Sequence, residues 1–256
     1  MTMSIHQYLC LNDNYGALVH DSATGATACV DVPEAAPTLA ALAERGWNLT
    51  DILITHHHAD HIQGVPDVKA KFPRAKIWGS GKDAARIPFL DHELKEGDTA
   101  RVGSLGANVI ETPGHTLGHI AYHFEHDNVA FCGDTLFSLG CGRVLETPHA
   151  VMWSSLAKLA AFPGETRIYC GHEYTEANGR FAATVEPGNP VLKARIEEVA
   201  KLRAARRPTL PTTIAAELAA NPFLRVEEPA IQAAVGLAGA EPAAVFAELR
   251  TRKDRF

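Results

Sequence analysis

Four times in this chain a short apolar run stops and a histidine or an aspartate stands at its end. "DILIT" leads into "HHHADH", "ANVIETPG" into His115, "NVAFCG" into Asp134, and "TRIYCG" into His172. Short runs rich in Val, Ile, Tyr and Phe read as β-strands. In an α/β fold the strand ends at one sheet edge converge, and ligands bind there. The chain must therefore fold so that four strand tips meet. A glycine before Asp134 and before His172, and a Pro-Gly turn before His115, allow each backbone to turn sharply into the polar residue.

Other runs have the same character: "YGALVH", "TACVDV", "AKIWG" and "HIAYHF". Helical segments lie between them. "APTLAALAERG" is rich in Ala and Leu and has Gly46 where a C-cap belongs. "HAVMWSSLAKLAAFPG" places apolar residues at Val151, Met152, Leu156 and Leu159 and stops at Pro163-Gly164. After about residue 172 the β-type runs vanish. "NPVLKARIEEVAKLRAARRP" puts Leu192, Ile196, Val199 and Leu202 at helical spacing and ends before Pro208. "TTIAAELAANPF" and "EPAAVFAELRTRKDRF" also read as helices. The expected organisation is an α/β domain over 1–172 followed by a small helical domain over 173–256.

The opening cluster carries the chemistry. In an extended segment, residues two apart project to one side, so His56 and His58 can reach one metal ion together. Asp60 and His61 lie just beyond, where a turn offers them to a second ion. With His115, Asp134 and His172 the set holds five histidines and two aspartates. One ion takes about three protein ligands when a position stays open for water, so seven suit two ions if one carboxylate bridges. Imidazole with carboxylate suits zinc first, iron or manganese also, and disfavours calcium and magnesium. His57 alternates away from its neighbours and is read as no ligand. His119 is read as a supporting residue. Asp31, at the end of "TACVDV", is placed to orient a ligand imidazole.

Composition bounds what else the chain can be. The net charge of −6 disfavours bulk binding to nucleic acid or anionic membrane. No apolar run approaches the ~20 residues of a membrane helix. "MTMSIHQYLC" lacks the basic start and apolar stretch of a secretory leader. The five cysteines are an odd number without a CxxC spacing, which fits reduced thiols in a cytoplasmic protein. Cys132 and Cys170 sit inside apolar runs and read as core. Phosphate-binding glycine motifs and a GxSxG nucleophile elbow are absent.

"THHHADH", "GHTLGH", "FCGDTLF" and "YCGHEYT", in this order and spacing, resemble the metallo-β-lactamase superfamily. "DTLFSLGCGR", "ANPFLR" and the terminal "RTRKDRF" resemble its glyoxalase II branch, the hydroxyacylglutathione hydrolases. The resemblance implies an αββα sandwich with a C-terminal helical domain. It implies one metal held by His56, His58, His115 and a bridging Asp134, and a second held by Asp60, His61, His172 and Asp134, with Asp60 and Asp134 acting in catalysis. Glutathione contacts carry over to Arg143, Tyr174, Arg250 and Lys253. Arg143 stands where many relatives have Lys, and Leu145 where relatives often carry an aromatic residue.

The activity so implied is hydrolysis of S-D-lactoylglutathione to D-lactate and glutathione by a metal-bridging hydroxide, the second step of methylglyoxal detoxification. Two bridged ions lower the pKa of a shared water to about 7. The leaving thiolate, with an intrinsic pKa of about 8.5, needs little acid assistance. The expected partner is a small glutathione thioester, with no nucleic acid and no membrane, acting on a monomer. The alternative is a glutathione persulfide dioxygenase of the same fold with a single iron, against which the basic C-terminal helix argues. A nucleic-acid hydrolase is opposed by the net charge, and a non-catalytic binding module by the complete ligand set.

Overall fold

The computed structural model describes residues 2–256. They form two compact units, 1–111 with 117–133, and 112–116 with 134–256. The composition change at residue 172 falls inside the second unit.

The first unit holds ten strands: β1 (Met3–Cys10), β2 (Asn14–Asp21), β3 (Thr27–Val30), β4 (Asp51–Leu53), β5 (Lys76–Ser80), β6 (His92–Leu94), β7 (Thr99–Val102), β8 (Leu105–Glu111), β9 (Ile120–Phe124) and β10 (Val129–Phe131). Three helices accompany them: α1 (Ala35–Arg45), the single turn α2 (Ala59–Ile62) and α3 (Val65–Lys71). β1 to β6 form one sheet in sequence order. β1, β2 and β3 are antiparallel, and β3, β4, β5 and β6 run parallel. β7 to β10 form an antiparallel meander.

The inner parallel strands β3 and β4 are buried on both faces, which is why they read as continuous apolar runs. Leu18, Cys29, Ile52 and Ile77 pack with Leu42 of α1 and with Val65 and Val68 of α3. Alternate residues, Val19, Ala28 and Leu53, point the other way and are also fully buried. Tyr122 of β9 donates its hydroxyl to the carbonyl of Ile54, just beyond β4, at 2.9 Å. α1 ends as expected, with Gly46 in the left-handed conformation at φ 65°. Sequence reading did not identify β1, an edge strand whose residues are mostly half-buried on both sides and so lack an alternating signal.

The second unit holds the hairpin β11 (Leu136–Phe137) and β12 (Gly140–Cys141), and the pair β13 (Arg167–Tyr169) and β14 (Thr212–Thr213). Its helices are α4 (His149–Ala160), α5 (Thr175–Val185), α6 (Pro190–Ala204), α7 (Ile214–Ala220), α8 (Pro229–Val235) and α9 (Pro242–Asp254). β14 corrects the expectation that β-structure stops near residue 172; at two residues it is too short to leave a pattern. Leu139, Ala182, Leu192 and Ala220 form one core cluster. Phe181, Phe223 and Phe246 form another, with successive ring centroids 5.9 and 6.0 Å apart. All five cysteines are buried and outside any disulfide, as read for Cys132 and Cys170.

Candidate metal centre

In the first unit β4 ends at Leu53, and Ile54 and Thr55 carry the chain to His56. His58 is still extended, at φ −60° and ψ 144°, and caps α2, whose first turn carries Asp60 and His61. Change from a two-residue to a helical period at this point brings all four groups together. His56 Nε2 faces His58 Nδ1 at 3.2 Å. The His56 and His61 rings lie 4.1 Å apart, and His61 Nε2 is 3.8 Å from Asp60 Oδ2. His56 and His61 are fully buried.

Asp31 organises this set. His61 Nδ1 lies 2.8 Å from Asp31 Oδ2 and donates to it. Thr55 donates its hydroxyl to the same oxygen at 2.8 Å, and its backbone N–H donates to Oδ1 at 2.8 Å. With its own proton committed, the Thr55 oxygen accepts from His56 Nδ1, 3.1 Å away. One carboxylate thus fixes two imidazoles, one directly and one through a hydroxyl, and leaves both Nε2 lone pairs for a cation. Asn14 Nδ2 donates to the Asp60 carbonyl at 3.0 Å and to Asp60 Oδ2 at 3.1 Å. Sequence reading missed Asn14 and Thr55. Neither belongs to a ligand-type pattern, and Asn14 is 46 residues from its partner.

His119 is buried and stacks on His56 with centroids 4.9 Å apart, consistent with a supporting role. His57 turns away, with Nδ1 3.0 Å from Asp83 Oδ2. Gly133 has φ 46°, and a Cβ there would stand 2.6 Å from Thr55 Oγ1 and 2.7 Å from His119 Nε2. Only glycine fits between these groups at the end of β10.

In the second unit His115 Nε2 and His172 Nε2 lie 3.5 and 3.3 Å from the same oxygen, Asp134 Oδ2. His115 Nδ1 is 2.9 Å from the Arg143 carbonyl and donates to it. In that neutral tautomer its Nε2 carries a lone pair aimed at a carboxylate oxygen. A divalent cation between them turns a repulsive contact into shared ligation, so this donor set fits a metal. Tyr174 stacks on His172, centroids 4.6 Å apart and planes 6° from parallel.

The residues expected to meet glutathione also lie in this unit. Arg250 is buried; its Nη1 donates to the Cys141 carbonyl at 2.8 Å and its Nη2 pairs with Asp254 at 2.9 Å. Arg143 is exposed, with Nε 4.0 Å from the same Asp254 oxygen. Lys253 is half-buried, and its Nζ donates to the Ala177 carbonyl at 3.3 Å. Burial, then the charges of Arg250 and Arg180, hold its pKa below the ordinary lysine value. Arg252 is exposed and still engaged. Its Nη1 and Nη2 donate to the Ala234 and Val235 carbonyls at 2.9 and 2.8 Å, at the C-terminal end of α8. Leu145 is 56% exposed.

Residues 16–172 match the family model described as the metallo-beta-lactamase superfamily, and residues 173–256 the one described as the hydroxyacylglutathione hydrolase C-terminus. The hydroxyacylglutathione hydrolase of Rhodopseudomonas palustris is 55% identical over 255 residues, 100% of each chain. That of Cereibacter sphaeroides is 55% identical and covers 96% of each chain. Among solved structures, that of ETHE1 from Myxococcus xanthus superposes with a TM-score of 0.67 at 26% identity, covering 98% of each chain.

Proposed function

The chain belongs to the hydroxyacylglutathione hydrolases of the metallo-β-lactamase superfamily, and from that membership we infer that it hydrolyses S-D-lactoylglutathione and related 2-hydroxyacyl thioesters of glutathione. It has the metallo-β-lactamase fold with a C-terminal helical domain, and its His and Asp groupings are of the kind that holds a divalent metal. The observation that carries the reading is identity of 52–55% to hydrolases along the whole chain, the C-terminal segment included. The same observation disfavours the persulfide dioxygenase alternative.

In this reading His56, His58, His115 and Asp134 hold one ion, and Asp60, His61, His172 and Asp134 a second. Zinc is first in preference, with iron or manganese also compatible with the donors. Such a pair, when bound, supplies hydroxide at neutral pH and polarises the thioester carbonyl. The chain's own contribution is orientation. Asp31 keeps the proton of His61 on Nδ1, Thr55 does so for His56, and the Arg143 carbonyl does so for His115. Asn14 holds the Asp60 carboxylate. Glutathione leaves as a thiolate whose pKa, about 8.5, demands no protein acid.

The substrate is anionic, so a net-acidic protein needs local cations to hold it. In this reading Arg143, which is exposed, and Lys253, which is half-buried, meet its carboxylates, with the Tyr174 ring beside His172. In the same reading Arg250 acts indirectly, through Cys141 and Asp254. Five buried cysteines outside any disulfide support a reducing, cytoplasmic location. Among the described residues no helix is long and apolar enough to cross a membrane. A small substrate asks no second chain, and the protein is read as a monomer.

Purified protein loaded with zinc, iron or manganese is to be assayed in parallel for S-D-lactoylglutathione hydrolysis and for oxygen uptake on glutathione persulfide. Hydrolysis without oxygen uptake, at close to two ions per chain, is the expected result. Oxygen uptake without hydrolysis would reverse the assignment.

A further inference from the structure

A cavity of about 740 Å³ opens in the first unit at the N-terminal ends of β4 and β5. The metal-ligating histidines follow the other end of β4. Asp51 begins that strand and His56 lies five residues on, about 16 Å along extended chain. The cavity is therefore separate from the centre described above. Its volume lies in the range of sites for small organic ligands, roughly 300–1,000 Å³.

Its apolar lining includes Leu49, Phe72, Ala75 and Trp78. Lys71, Arg74, Lys76 and Arg101 line the rest. All four are exposed, and among the described residues none of their side chains makes a hydrogen bond or ion pair. The single lining carboxylate, Asp51, is buried and engaged. Trp78 Nε1 donates to its Oδ1 at 2.8 Å, and Thr50 Oγ1 lies 2.7 Å from its Oδ2. Trp78 is held further by His92, stacked with centroids 3.9 Å apart.

A chain of net charge −6 would be expected to scatter its cations among its acids. Four uncompensated cations around one apolar hollow instead concentrate positive potential there. We propose that this cavity binds a small organic polyanion with a planar apolar body, the body lying against Phe72 and Trp78 and the anionic groups meeting Arg74, Arg101 and the two lysines. Guanidinium groups offer paired donors to sulfonate, phosphate or carboxylate oxygens. Mutual repulsion of the four cations falls when the ligand binds, so affinity should weaken with salt.

The test uses zinc-loaded full-length protein and three probes that do not strip metal. Naphthalene-1,5-disulfonate has both the body and the charges, sulfate has charge alone, and 2-naphthol has the body alone. Calorimetry gives affinity, and amide and indole NMR shifts give location. The disulfonate should bind more tightly than either partial probe, and shift Arg74, Lys76, Arg101 and the Trp78 indole. The double variant Arg74→Ala with Arg101→Ala should weaken it about tenfold or more, with S-D-lactoylglutathione hydrolysis unchanged. If the disulfonate does not bind, or binds the double variant equally, or shifts only residues around His56 and His172, the cations serve solvation alone and the proposal falls. Hydrolysis is measured separately, so failure of this site leaves the assigned reaction untouched.

Discussion

Asp31 takes the left-handed backbone at φ 54°, a conformation that Asp and Asn adopt more readily than other side chains. The turn aims its carboxylate back at Thr55 and His61. Two substitutions separate what the residue does. Asp31→Asn keeps the backbone preference and loses the charge. Asp31→Ala loses both. Each should weaken metal binding by about 10- to 100-fold, read by competition with a chelator, and Asp31→Ala should also lower the melting temperature. Retention of native metal affinity by both variants would refute the orienting role. Asp134 is a different case, because His115 and His172 converge on one of its oxygens. Asp134→Ala should lower metal content and kcat together, and by more than loss of any one histidine. Metal analysis with steady-state kinetics checks it, and near-native activity would dismiss Asp134 as the bridge.

Asp134 depends in turn on the hairpin that follows it. A Cβ on Gly142 would lie 1.9 Å from the Asp134 carbonyl oxygen, so Gly142→Ala cannot be accommodated without moving the ligand. Asn221, just past α7, donates to the Phe137 and Gly140 carbonyls at 3.1 and 2.9 Å. Glu217 accepts the N–H of Leu139, which has φ 58°, at 2.7 Å. Asn221→Ala should cost about 2–4 kcal/mol in a denaturant titration, since it strands buried carbonyls, and should reduce bound metal as the hairpin loosens. Unchanged metal content at that loss of stability would uncouple the hairpin from the site. Arg143 and the last helix separate binding from folding in the same way. Arg143→Ala and Lys253→Ala should raise KM and leave kcat nearly unchanged. Arg250→Ala should do so while also destabilising the fold, because the Cys141 carbonyl and Asp254 lose a buried partner. Equal melting temperatures for all three would contradict the buried role of Arg250.

The first unit is clamped across its two sheets by Asp21, at the end of β2. Its carboxylate accepts from Ser104 N and Oγ at 2.8 and 2.7 Å, from Thr24 Oγ1 at 2.7 Å and from Ala23 N at 3.0 Å. Burial pushes the Asp21 pKa up, but these hydrogen bonds outweigh it and hold the carboxyl well below the usual range. A carboxyl depressed in the folded state contributes stability above its unfolded pKa of about 4, lost as pH falls through the folded value. Melting curves from neutral to acid pH should show Asp21→Asn less stable at pH 7, with the gap to wild type narrowing below about pH 4. A constant gap across that range would show the charge to be irrelevant.

The ligand types and their order along the chain were legible in the sequence, because "HHHADH" and the three later tips are local patterns in which a strand ends on a donor. The helices α1, α4, α6, α7 and α9 were legible for the same reason, since periodicity and caps are short-range. Resemblance of "ANPFLR" and "RTRKDRF" to one branch carried the reaction. What only the tertiary structure decided depends on partners far apart in the chain. Asn14 holds Asp60 from 46 residues away, Asp31 serves two imidazoles, Asn221 pins a hairpin from 84 and 81 residues away, and Arg250 donates to the Cys141 carbonyl from 109 residues away. A pattern records which side chains can ligate, whereas the proton each imidazole carries, and the direction in which its lone pair points, are set by hydrogen bonds that exist once the chain has folded.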